Sequence, residues 1–190
     1  MQCALKYAFV FISLFTLISC KKDKLDTKNT EFQNIYNDLI GPGNKQEVTF
    51  DAVVHSYTFK LSENRSLTSI GYQSHPNLSS TNYLIEIINN VDSTLVYSAD
   101  HQFSSTDISY VSPTSPVNLQ SGVSYTISRI QINYTQYVTD RVGHLVPTEE
   151  SDYPLSFGVL TITETNFGDQ VEYQNSSKYH SLPRIDIELQ

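Results

Sequence analysis

From Val53 to Leu61 the chain alternates, with Val53, His55, Tyr57, Phe59 and Leu61 on one parity and Ser56, Thr58 and Lys60 on the other. Successive strand side chains point to opposite faces, so a period of two specifies a half-buried strand and argues against a helix there. The last segment repeats the pattern, with Ile185, Ile187 and Leu189 set against Arg184, Asp186 and Glu188. Tyr83 to Ile88 is apolar except for Glu86, as suits a central strand covered on both faces. Composition agrees. After residue 19 there are two alanines, Ala52 and Ala99, against 13 Val, 13 Ile and 16 Thr, and β-branched residues favour a pleated sheet.

These runs predict strands near 47–52, 54–61, 66–73, 82–89, 94–98, 107–111, 122–134, 154–163 and 182–189, separated by short polar turns. Within 122–134 the inward parity of Val123, Tyr125 and Ile127 passes to Ile130, Ile132 and Tyr134, so a bulge is expected near Ser128-Arg129. A similar change is expected at Gly158, between Leu155, Phe157 and Leu160, Ile162. About nine strands with no helix between them imply an all-β fold, an antiparallel β-sandwich of jelly-roll or immunoglobulin-like type. A closed lipocalin-type barrel gives the same alternation and is the alternative. Thr30-Glu31-Phe32-Gln33 has capping-box form. With the stripe Phe32, Ile35, Tyr36, Leu39 and Ile40 and the stop at Gly41-Pro42-Gly43, it predicts a short helix over 31–40, docked on the domain or on a partner.

The chain opens MQCALKYAFVFISLFTLISC and continues KKDK. Lys6 supplies a positive start and Tyr7 to Ile18 a 12-residue apolar run. That is short of the roughly 20 residues a membrane helix needs, and of the right length for an export signal. Leu17-Ile18-Ser19-Cys20 resembles the lipobox of bacterial lipoproteins. The resemblance implies cleavage before Cys20, fatty acylation of its thiol, and a location in the cell envelope on a membrane, expected to be the outer one, with either face open. Several acyl chains give a stable anchor where one gives marginal binding. The expected organisation is a signal peptide over 1–19, lipidated Cys20 with tether and short helix over 20–45, and the sandwich over 46–190. Ile70-Gly71 and the Leu119-Gln120-Ser121-Gly122-Val123-Ser124-Tyr125 element are similar to those of secreted bacterial β-sandwich domains, which reinforces the fold and leaves activity open.

A formal net charge of -8 argues against nucleic acid as a partner, since phosphates need a basic face. With Cys3 discarded and Cys20 acylated, neither a disulfide nor a cysteine-based site is expected. The five histidines, His55, His75, His101, His144 and His180, show no metal-ligand spacing. His55 reads as a hydrogen-bonded residue at the core edge. If strands alternate in direction, the connections 74–81, 99–106 and 135–153 share one end, where His75, His101 and His144 would form a rim, and 164–181 lies at the other. The 19-residue connection 135–153 exceeds ordinary loop length and carries the candidate ligand-binding residues Tyr137, Arg141 and His144. Tyr173 and Tyr179 are further loop candidates. No nucleophile elbow, phosphate loop or paired catalytic carboxylates stand out, so neither an enzyme nor a cofactor is expected. The expected function is a non-catalytic binding module for a glycan or protein of the envelope. The alternative is a structural subunit of a larger assembly, docked through the helix stripe.

Overall fold

Thr30 starts the first element. Its hydroxyl accepts from Gln33 N at 3.0 Å and so caps helix α1, Glu31–Leu39. Gln33 does not return the bond, because its amide donates instead to Tyr110 Oη at 2.8 Å, and only half of the expected capping box forms. The computed structural model describes residues 28–41, 44–50, 53–74, 78, 80–131, 141–168 and 179–190. The leader, Cys20, most of the tether, His75, Tyr137 and Tyr173 lie outside them.

The main layer is a six-stranded antiparallel sheet. Its centre is β2 (Val54–Leu61), paired on one side with β8 (Ser124–Gln131) and on the other with β11 (Leu160–Gly168). Beyond β8 lie β4 (Tyr83–Asn89) and β5 (Thr94–His101), and beyond β11 lies β10 (Leu155–Phe157). The outer strands β10 and β5 do not meet, so the sheet is open and the barrel alternative falls away. The facing layer is built on β3 (Arg65–Tyr72). One edge of β3 pairs with β13 (Asp186–Leu189), and the other is shared by β6 (Ser109–Val111) and β7 (Val117–Leu119). A third sheet joins β1 (Glu47–Phe50), β9 (Arg141–Pro147) and β12 (Ser181–Pro183). The fold is an all-β sandwich with one short N-terminal helix, and it has thirteen strands among the described residues where about nine were expected.

The alternation in the sequence becomes the core. Tyr57, Phe59 and Leu61 of β2, with Ile85, Ile87 and Ile127 beside them, face Leu67, Ile70 and Ile187 from the other layer, all at 2% exposure or less. Each such side chain contributes about 1.5–3 kcal/mol on burial. α1 closes one open side. Phe32 stacks on Tyr57 at 5.4 Å between ring centroids, and Phe32, Ile35 and Tyr36 are buried in the same core as the strands. Phe32, Ile35 and Tyr36 of the stripe therefore dock on the chain's own sandwich, with Leu39 packed partly against it and Ile40 exposed.

Four expectations are corrected. The ladder of β8 with both neighbours runs without interruption through Ser128-Arg129, so no bulge forms there. Arg129 keeps the inward parity instead, fully buried, with its guanidinium 5.2 Å from the Tyr83 ring and 5.5 Å from the Tyr72 ring. Aromatic faces attract a cation, which makes this inward place tolerable for arginine. The 154–163 segment is two strands rather than one bent strand. Gly158 takes φ +56 in a two-residue turn between Phe157 and Leu160, a conformation glycine adopts without a Cβ penalty. The 182–189 segment changes sheets at Arg184-Ile185, where β12 ends at Pro183, a residue with no N–H to extend a ladder. The long connection 135–153 contains β9, so Arg141 and His144 lie in a strand and not in a loop.

Candidate functional site

β5 is the outermost strand of the large sheet, and its far edge pairs with nothing among the described residues. Across β4 its register sets Tyr97 opposite Ile87, Ala99 opposite Ile85 and His101 opposite Tyr83. Ile87, Ile85 and Tyr83 are core residues, so Tyr97, Ala99 and His101 share the inward face at the rim of the sandwich. The Tyr97 and His101 rings close over the small Ala99. They are stacked at 15° with centroids 6.0 Å apart, and the Tyr97 hydroxyl lies 2.5 Å from His101 Nε2. Burial lowers the His101 pKa, opposed by Asp100, and burial raises that of Tyr97. In the tautomer with Nε2 unprotonated, the imidazole accepts a hydrogen bond from the Tyr97 hydroxyl.

Opposite this face runs the connection from β6 to β7. Between residues 96–101 and residues 114–118 lies an open cleft of about 580 Å³, a size typical of ligand sites. Its walls combine the Tyr97–His101 pair, Val96, Pro116 and Val117 with polar Ser98, Thr114, Ser115 and Asn118. Asp100 is the one carboxylate among them. Apolar area ringed by hydrogen-bonding groups suits holding a ligand.

Of the residues singled out from the sequence, His101 lines this cleft, Arg141 and His144 lie elsewhere, and Tyr137 and His75 are outside the described residues. Arg141 pairs through its backbone with Phe50, at the start of β9. His144 lies opposite Val48, and its Nδ1 accepts from Gln46 Nε2 at 2.8 Å. Gln46 Oε1 accepts in turn from Arg184 Nη1 at 3.3 Å. Burial and the Arg184 charge both lower the His144 pKa, so this imidazole is held neutral in a structural network. His101 and His144 do not share a rim. The β9 sheet adjoins β2 and β11 through β12, and these are three and four strand spacings from β5, at least about 14 Å. His55 is buried between Arg129 and Phe167 positions of its neighbouring strands, within the core.

The strand ends also revise the placement of connections. Gly168 of β11 pairs with Val54, which pairs with Ile130 of β8. Ile130 pairs with Leu84, next to the Tyr83–His101 pair. The connections leaving β11, β8 and β5 therefore depart from one end of the sheet, and the one after β11 is not opposite the others. Tyr179, another loop candidate, has φ +63 and packs its ring 5.2 Å from Tyr153. Thr148 Oγ1 binds the Tyr179 carbonyl at 2.6 Å, beside a smaller hollow of about 290 Å³.

Sequence reasoning missed the β5 cleft because it ended the strand at residue 98 and treated 99–106 as a loop. The signal was present: Tyr97, Ala99 and His101 continue the inward parity, and Ala99 is one of two alanines after the leader. Among the described residues no cluster of three or more His, Cys, Asp or Glu is placed to hold a metal ion, and no helix is long and apolar enough to cross a membrane. No family model matches the chain, and no curated protein matches it.

Proposed function

We propose that this chain is a lipid-anchored module of a bacterial cell envelope that holds a glycan or protein ligand without transforming it. The observation that carries the binding role is the cleft at the mouth of the sandwich, where an inward-facing aromatic pair lies beside a strand edge that pairs with nothing among the described residues. The lipobox Leu17-Ile18-Ser19-Cys20 supports the anchor. An acidic chain of net charge -8 supports a partner other than nucleic acid. The structural-subunit reading is less well supported, because Phe32, Ile35 and Tyr36 of its docking stripe are buried in the chain's own core.

The test is ligand capture by the full chain, run on a glycan array and beside it on envelope proteins. Tyr97→Ala is expected to weaken capture at least about tenfold, as loss of an aromatic anchor does. Capture unaffected by Tyr97→Ala but lost on Tyr137→Ala or Arg141→Ala moves the site to the connection between β8 and β9 or to the start of β9. No capture of either class rejects the module.

A further inference from the structure

We propose that the ligand of the β5 cleft is an extended polypeptide segment bearing basic residues, which adds to β5 as a seventh strand of the large sheet. This inference rests on the binding-module reading and names the class of its partner. β5 is eight residues long, and its outer row of N–H and C=O groups meets no strand among the described residues. Proteins commonly blunt such an edge with lysine, proline or a bulge. β5, Thr94-Leu95-Val96-Tyr97-Ser98-Ala99-Asp100-His101, has neither lysine nor proline. Its register slips between Ile87–Tyr97 and Ile88–Leu95, leaving Val96 as an extra residue. That bulge twists the start of the strand and leaves 97–101 regular.

Residues of both parities, 96–101, line the cleft, so it borders the edge where a next strand would lie. A chain placed about 4.8 Å beyond β5 runs along the gap facing 114–118. Alternate side chains of that strand enter the cleft against the Tyr97–His101 pair and Val117, while its backbone satisfies the β5 edge. A sugar offers no such row of matched donors and acceptors. Charge selects the partner. Between Arg65 and Arg129 the chain has no lysine or arginine, but carries Glu86, Asp92, Asp100 and Asp107. Those residues include β4, β5, β6 and β7, so both walls belong to a segment without a cation. Asp100 lines the cleft, and Glu86 accepts from Ser98 Oγ at 3.4 Å on the neighbouring strand. A second copy of this acidic chain is disfavoured by like charge, and a basic strand is attracted.

The probe is a fluorescent seven-residue peptide alternating valine and threonine with two lysines, added to the full chain in detergent micelles. Fluorescence anisotropy reads affinity, and amide hydrogen exchange reads where the peptide sits. Saturable binding with new protection confined to 94–101 is expected. Two further peptides are N-methylated on one or the other alternate set of backbone nitrogens. Only one set faces β5, so one peptide is expected to bind at least about tenfold more weakly and the other to match the parent. Exchanging the lysines for glutamates weakens binding, and Asp100→Lys, an exposed position, reverses that order. Equal binding of both methylated peptides overturns the inference, as does protection outside β5 or a peptide-free dimer that protects 94–101. A glycan retained by the cleft while no peptide binds also overturns it, yet leaves the binding module standing.

Discussion

Asp186 sits where helix, β13 and β6 meet. Its carboxylate is fully buried and accepts from Thr30 Oγ1 at 2.6 Å and from the Tyr110 hydroxyl, whose oxygen also accepts from Gln33. Burial raises its pKa above the ordinary carboxylate value, against the lowering effect of those hydrogen bonds and of Arg184. A folded-state pKa above the unfolded one contributes stability that is present in acid and lost as pH rises through the folded value. The melting temperature of the wild type relative to Asp186→Asn is therefore expected to fall from pH 4 toward neutrality. A difference that grows with pH contradicts the assignment. Next to this network, Gly71 lies under the Tyr110 ring, and a Cβ there would stand 2.6 Å from Tyr110 Cε1. Gly71→Ala must displace the ring, at a cost of about 1–3 kcal/mol in urea unfolding. The cost should shrink in a Tyr110→Ala background, since the clash is then gone.

At the scale of elements, the helix behaves as part of the sandwich. Beyond the Phe32–Tyr57 stack, Arg184 lies 5.4 Å over the Tyr36 ring, and Lys28 bridges to Glu188 of β13 at 2.6 Å. That pair is 36% and 30% exposed and adds little, so the apolar side chains carry the docking. Phe32→Ala is expected to cost about 3–5 kcal/mol in chemical denaturation, as for other buried aromatics. A loss below 1 kcal/mol would mean that the helix is dispensable to the core. The element from Gln120 to Tyr125 shows the same economy of parts. Gly122 turns the chain at φ +75, the Tyr125 ring enters the core, and its hydroxyl accepts from Gln120 N at 2.9 Å. The Gly-x-x-Tyr spacing thus has a local physical cause: glycine tolerates the turn, and the tyrosine hydroxyl caps a free N–H.

For the whole molecule, net charge governs behaviour among neighbours. The sequence pI is about 4.9, so mutual repulsion vanishes near pH 5 and an exposed strand edge is then least protected. Light scattering of the full chain in micelles is expected to show self-association greatest near that pH and suppressed as pH rises to 7. Association that peaks at neutral pH would contradict this. Anchoring is a second whole-molecule property. Under the lipoprotein reading, Cys20→Ser is expected to abolish incorporation of a fatty-acid probe and to release the chain from the membrane fraction. Equal labelling of wild type and variant would reject acylation at Cys20.

Period-two alternation around Tyr57, Ile127 and Ile187 was enough to establish half-buried strands of an all-β fold, because which face a strand buries depends on local parity alone, whereas sandwich against barrel was decided only by β10 and β5 failing to meet. The helix over 31–40 was legible for a similar reason, since stripe, cap and stop are neighbours in sequence. Arg129 was not legible: parity marks it as inward, charge marks it as outward, and its inward place beside the rings of Tyr72 and Tyr83 depends on residues brought from other strands. Nor was the end of β12 beside the start of β13, since a change of sheets depends on which partner strands stand nearby. The candidate site divides in the same way. The residues of β5 and their alternation are in the sequence, but an edge is a strand without a neighbour, and a cleft is a distance between two layers. Both depend on long-range packing, which only the tertiary structure decides.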